Sequence, residues 1–148
     1  MEANKDFEEF FTLLNKHKVS FVVVGGYAVI FHGHPRFTGD IDIFYRPEAK
    51  NVEALLAALK EFGFDFPELT APELKKEGQV VQLGQPPNRI DLINQITNVE
   101  FDSVWKNKIA GSYGKEAIFF IHLDDLLKNK KSLARPKDMQ DIDFFEKK

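Results

Sequence analysis

Asp40 and Asp42 stand two residues apart in Gly39-Asp40-Ile41-Asp42-Ile43-Phe44. In an extended segment that spacing turns both carboxylates to one face while Ile41 and Ile43 point to the other. Two acids held side by side repel, so a strand that opens with them calls for a compensating cation, and hard oxygen donors of this type suit Mg²⁺ or Mn²⁺. The plainer alternative is a pair of solvent-facing acids at a strand edge. Asp91, in Arg89-Ile90-Asp91-Leu92-Ile93, repeats the alternating pattern. On a neighbouring strand it would supply the third carboxylate of a two-metal site, in which ions about 4 Å apart stabilise the attacking and leaving oxygens of an in-line displacement. The same group would also suit the base that takes a proton from an attacking hydroxyl; otherwise it is an exposed strand aspartate.

Gly25-Gly26 follows the apolar run Phe21-Val22-Val23-Val24. Two glycines there let the backbone turn sharply and approach a ligand closely, and a helix that follows offers free N–H groups to a phosphate. Leu127 to Lys137 holds Lys128, Lys130, Lys131, Arg135 and Lys137 without an acid, whereas residues 51–100 carry four basic and eight acidic residues. The basic run could face phosphates or form a solvated helix end. His32 and His34 lack the further ligands a structural zinc site needs, so they read as packing or capping residues. Asp138 and Asp141 read as helix-to-loop ion pairs that fix Arg135. Trp105 and Tyr113 read as core.

The elements that must position these residues follow from the periodicity. Phe7, Phe10, Phe11 and Leu14 give the stripe of an opening helix. Phe21 to Val24 predicts a buried strand, a tight turn comes next, and Tyr27 to Phe31 suits a short helix. Ile41 to Tyr45 predicts a second strand. Val52, Leu55, Leu56, Leu59 and Phe62 mark a helix stopped by Gly63. Val80 to Leu83 and Arg89 to Ile93 flank Gly84-Gln-Pro-Pro-Asn88 and predict a hairpin. Residues 101–109 are expected as a helix, Ala117 to Ile121 as a strand, and two helices separated near Arg135-Pro136 complete the pattern. The alternation implies an α/β (α+β) chain, with a mixed β-sheet flanked by helices.

The 148 residues, 43% hydrophobic and 13% aromatic with a net charge of -3, suit one globular domain over 1–148 and exclude an intrinsically disordered chain. There is no cysteine, so disulfides and thiolate zinc sites are excluded. The polar start Met1-Glu-Ala-Asn-Lys-Asp6 carries no secretory pattern, and no apolar run approaches the roughly 18 residues of a membrane helix. The expectation is a cytoplasmic protein without membrane association.

The order strand, Gly-Gly, short helix, Asp-x-Asp strand and distant strand aspartate resembles the nucleotidyltransferase superfamily of the DNA polymerase β type. Gly25-Gly26-Tyr27-Ala28 and His32-Gly33-His34-Pro35-Arg36-Phe37-Thr38-Gly39-Asp40-Ile41-Asp42 look most like its small bacterial and archaeal branch, which includes type IV abortive-infection toxins and lincosamide nucleotidyltransferase-like enzymes. Leu126-Leu-Lys128, with Arg135-Pro-Lys137-Asp138 and Asp141, is similar to that branch's lysine and its Arg-x-Lys-Asp-x-x-Asp helix, so the likeness spans residues 21–141.

The resemblance implies a nucleotidyltransferase fold and an Mg²⁺- or Mn²⁺-dependent transfer of a nucleoside monophosphate from a nucleoside triphosphate to an acceptor hydroxyl, with pyrophosphate released. It implies Asp40, Asp42 and Asp91 as catalytic metal ligands, and Gly25, Gly26, Arg36, Thr38 and Lys128 as nucleotide-binding residues. For Arg36 an ion pair to an aspartate stands beside a substrate contact. Tyr27 departs from the serine that many superfamily members carry after the glycines. No separate acceptor-binding domain is recognisable, so an acceptor RNA, protein or small molecule would bind at the open face, at a homodimer interface or on a partner protein. The other class of function is a non-catalytic nucleotide-binding or interaction module, such as a toxin–antitoxin component.

Overall fold

A computed structural model describes residues 3–147. It opens with helix α1 (Lys5–Lys16), where Asn4 caps the first turn by accepting from the N–H groups of Asp6 and Phe7 and buries Phe7, Phe10, Phe11, Leu13 and Leu14. Strand β1 (Phe21–Val24) runs directly into helix α2 (Gly25–Phe31), so the helix begins at the glycines themselves, without an intervening turn. Strand β2 (Asp40–Tyr45) and helix α3 (Ala49–Phe62) follow, and Gly63 ends that helix in the left-handed conformation. The short helix α4 (Ala71–Lys75), capped by Thr70, has no counterpart in the sequence reading; it brings buried Leu74 into the core, with Ala71 packed against it.

Strands β3 (Val80–Leu83) and β4 (Arg89–Ile93) form the expected antiparallel hairpin. The segment expected as one helix over 101–109 divides instead into helix α5 (Phe101–Asn107) and strand β5 (Ile109–Tyr113), which pairs antiparallel with β6 (Glu116–Phe120). Gly111 seats the strand: a Cβ there would sit 2.7 Å from the Phe31 ring, and only a bare backbone lies flat against the stacked Phe31 and Phe120 rings. Helices α6 (Leu123–Leu133) and α7 (Pro136–Glu146) complete the described chain.

The six strands form one mixed sheet in the order β3-β4-β2-β1-β6-β5. β2 pairs antiparallel with β1 and parallel with β4, so the two aspartate strands are direct neighbours at the middle of the sheet. One contiguous hydrophobic cluster joins α1, α3, α4, α5 and α6 to the sheet. Along β2, Ile41, Ile43 and Tyr45 are buried on one face; on the other, beyond the aspartates, Phe44 is covered by Phe101 of α5 at a ring separation of 5.0 Å. The far end of the aspartate face is therefore closed by aromatic packing, and its near end is left open. Among the described residues no helix is long and apolar enough to cross a membrane.

Candidate active site

The β2–β4 register sets the floor. Asp40 lies beside Arg89 and Asp42 beside Asp91, and the pleat turns all four side chains to the open face. Asp40, Asp42 and Asp91 each offer a carboxylate oxygen within 4.8 Å of the others, and among the described residues this is the one acidic or histidine group of three or more so arranged. Arg89 lies across two of them. Its Nε donates to Asp91 Oδ1 at 2.9 Å and its Nη2 to Asp91 Oδ2 at 3.1 Å, while Nη2 stands 3.4 Å from Asp40 Oδ2.

Asp42 has no such cation. Burial, reinforced by hydrogen bonding and charge from Asp40 and Asp91, pushes its carboxyl up to about 9. Burial also raises Asp91, with Asp40 adding to the shift and Arg89 opposing it. At Asp40 burial acts in the same upward direction, but hydrogen bonds from its two neighbours together with Arg89 hold the carboxyl below the usual range. The floor thus keeps a proton on Asp42 to relieve repulsion that one guanidinium cannot cover. A compact, all-oxygen donor set with an uncompensated member fits a hard divalent cation such as Mg²⁺ or Mn²⁺.

The Gly-Gly pair makes room for this floor. Gly25 has φ +68, and a Cβ there would lie 2.0 Å from Asp42 Oδ2 and 2.8 Å from its Cγ. At Gly26 a Cβ would lie 2.7 Å from the Thr38 hydroxyl and 3.4 Å from Arg36 Nη2. Both glycines are needed for what packs on them. The Thr38 hydroxyl in turn reaches the Asp40 carbonyl at 3.2 Å and its carboxylate at 3.4 Å. Tyr27, which departs from the serine of many superfamily members, is turned to the core: its ring meets Phe7 at 5.8 Å and Tyr113 at 5.7 Å, both edge-on.

Helices α6 and α7 supply the opposite wall of a cleft of about 440 Å³, lined by Gly25, the three aspartates and Arg89 on one side and by Asn129, Lys130, Arg135 and Lys137 on the other. Lys128 is exposed and does not line the cleft. The α6 lysine that does is Lys130, two residues further along the helix. Leu126 and Lys130 are four apart and share the buried face of the helix. Lys130 is 4% exposed, and its Nζ meets Asp138 Oδ1 at 3.1 Å and Asp141 Oδ2 at 3.0 Å. Burial works against the Asp138 charge, yet hydrogen bonds from Arg135 and Lys130 hold its carboxyl below the usual range. Two larger hollows of about 770 Å³ lie elsewhere, one against residues 94–101 and one along β3, and neither contains a carboxylate cluster.

Asp138 fixes Arg135 as expected, with Arg135 Nε donating to Oδ2 at 2.6 Å. Asp141 does something else, for it holds Arg36: Nη2 donates to Oδ2 at 3.2 Å and Nε stands 3.0 Å from Oδ1. His32 lies 2.7 Å from the Ile121 carbonyl, and His34 stacks on Phe144 at 4.1 Å with its Nε2 3.5 Å from Asp141. Both histidines thus serve packing and lie apart from the carboxylate cluster.

This arrangement of sheet and helices recurs in a solved structure. A candidate nucleotidyltransferase from Thermotoga maritima superposes with a TM-score of 0.63 over 95% of this chain and 90% of its own, at 15% sequence identity. At that identity the likeness is one of fold, and the fold is that of nucleotidyltransferases. No curated protein sequence matches the chain. A family profile matches residues 2–144, nearly the whole chain, and by that match the protein belongs to the family described as nucleotidyltransferase of unknown function (DUF6036).

Proposed function

We propose that the protein is a metal-dependent transferase that moves a nucleoside monophosphate from a nucleoside triphosphate to an acceptor hydroxyl and releases pyrophosphate. The observation that carries this reading is the cluster of three carboxylates within 4.8 Å on adjacent strands, facing lysine and arginine side chains across an open cleft. Mg²⁺ or Mn²⁺ held by Asp40, Asp42 and Asp91 would supply positive charge to the attacking and leaving oxygens.

The residues divide the remaining work. Gly25 and Gly26 bring backbone close to the phosphates, and Lys130, Arg135 and Lys137 offer them positive charge. Lys130 takes the place that the resemblance gave to Lys128. Asp91 accepts the proton of the acceptor hydroxyl as the new bond to the α-phosphorus forms and the bond to the pyrophosphate oxygen breaks. Arg89 must release Asp91 for that step. Thr38 orients Asp40, and Arg36 acts through its ion pair rather than on the nucleotide. Asp42 must give up its proton when the metal binds.

Calorimetric titration of each nucleoside triphosphate, with Mg²⁺ and with chelator, tests the proposal. Wild type binds one or more triphosphates only with the metal, and the Asp40→Ala/Asp42→Ala variant binds none. Failure of every triphosphate to bind the folded wild type in either Mg²⁺ or Mn²⁺ overturns the reading. A positive result identifies the base, and labelled nucleotide then finds the acceptor among RNA, protein and small-molecule fractions.

A further inference from the structure

We infer that Asp141 is a positioning residue that ties the cationic wall of the cleft to its aspartate floor, an inference that rests on the proposed reading of the cleft. Asp141 is 1% exposed and is not among the residues lining the cleft. One branch from its carboxylate leads to Lys130, 3.0 Å away on the wall. The other leads to Arg36, whose Nη2 lies 3.2 Å from Oδ2 and also packs over Gly26, 3.4 Å from the position a Cβ would take. Two residues beyond Arg36, Thr38 donates to Asp40. A single carboxylate on α7 therefore holds both sides of the site.

Helix docking alone does not call for this arrangement. Burying charge carries a desolvation cost, and apolar residues of the same volume would pack α7 at least as well; what an ionic cluster supplies is one allowed register. The cluster of Arg36, Lys130 and Arg135 with Asp138 and Asp141 is closed in this sense, since each buried carboxylate meets two cations. His34 stacks on Phe144, one turn along α7, so the same loop is held to the same helix at a second point. Seating α7 and ordering the stretch from Arg36 to Asp40 are consequently one event.

The test compares wild type with Asp141→Asn, Arg36→Gln and the double variant by three readouts. These are backbone amide shifts without ligand, Mn²⁺ affinity by electron paramagnetic resonance, and inorganic tripolyphosphate affinity by calorimetry. Asp141→Asn weakens both Mn²⁺ and tripolyphosphate by about tenfold or more, the range of one hydrogen bond to a charged group. Arg36→Gln weakens Mn²⁺ alone, because Lys130 keeps both its carboxylates. The double variant is no worse for Mn²⁺ than Asp141→Asn. Full additivity, or a loss of thermal stability with both affinities unchanged, overturns the inference. If wild type binds neither probe, the reading of the cleft fails and the amide shifts still decide the positioning role. Asp141→Asn must then move Thr38 to Asp42, and shifts confined to residues 136–146 refute it. If Asp141→Asn does not fold, Arg36→Gln decides alone, by whether it separates the two affinities.

Discussion

Replacing Gly25 with alanine tests whether the glycine turn exists to make room for an aspartate. Two costs can be worked from the geometry. Alanine at φ +68 occupies the left-handed region, which costs roughly 1–2 kcal/mol for a residue with a Cβ. The new methyl group would also lie 2.0 Å from Asp42 Oδ2, so either the carboxylate or the β1–α2 junction has to move, at the roughly 1–3 kcal/mol typical of overpacking. The expected loss is about 2–5 kcal/mol in urea denaturation. Gly63→Ala is the control, since Gly63 also has positive φ but nothing lies within 4 Å of its Cβ position. It should show the conformational cost alone. The decisive comparison is Gly25→Ala in an Asp42→Ala background, where the obstructing carboxyl is gone and the cost should fall to that of Gly63→Ala. An unchanged cost in that background would refute the claim that Gly25 is reserved for Asp42. Mn²⁺ affinity supplies a second check, because the single variant must also displace the carboxylate proposed to hold the metal.

Asp42→Asn separates folding from metal binding. Because the folded carboxyl is raised to about 9, the native state retains a proton that the unfolded chain has released; wild-type stability in chelator therefore falls as pH rises from the ordinary carboxylate range toward 9, by at most about 1.4 kcal/mol per pH unit. The asparagine variant lacks this contribution, so the wild-type minus variant difference must decline across pH 5 to 9; equal slopes contradict it. Conversely, saturating Mn²⁺ at a hundred times its Kd should stabilise wild type by about 2.7 kcal/mol and the variant hardly at all. Lys128→Ala should leave stability within about 0.5 kcal/mol and triphosphate affinity unchanged. Lys130→Ala should cost about 3–5 kcal/mol because two buried carboxylates lose their shared cation; the reverse ranking in a melting experiment would restore Lys128. Asn51, which donates to the Ser20 and Arg46 carbonyls and accepts from the Ser20 N–H, lies away from the cleft. Asn51→Ala should cost about 1–3 kcal/mol with no effect on Mn²⁺ affinity.

How far the sequence reached depends on the range of the interaction concerned. The aspartate floor was legible because alternation along Asp40-Ile41-Asp42-Ile43 fixes the faces of a strand locally, and Arg89 to Ile93 repeats the pattern. That β4 would pair directly with β2, in the register that sets Asp42 beside Asp91, is a choice among strand orders that no local signal contains. Strand β5 escaped because Ala110-Gly111-Ser112 has no β-branched side chain; its place is dictated by Phe31 and Phe120, remote in sequence. Lys128 and Lys130 illustrate the same limit. Both sit in a basic run, and only tertiary packing decides which one is buried between Asp138 and Asp141. The glycines read from the sequence as a close approach to a ligand; that a Cβ at either would also meet the protein's own Asp42 or Thr38 depends on tertiary packing.

The site draws on residues as far apart as Arg36 and Asp141, separated by 105 positions in the chain. Loop closure over such a span is unfavourable until local structure has formed, so the β3–β4, β1–β2 and β2–β4 pairs, whose partners are closer in sequence than Arg36 and Asp141 and of which the last sets Asp42 beside Asp91, should precede the docking of α7 in time. During refolding the acidic face is then present before the cations that oppose it, and the intermediate carries three close carboxylates with little but Arg89 to balance them. Divalent ions in the refolding buffer should accelerate that stage and, through the Asp141–Arg36 link, also favour the final seating of α7. Stopped-flow refolding with and without Mn²⁺ distinguishes the two phases, and a metal effect confined to the last phase would reverse the proposed order.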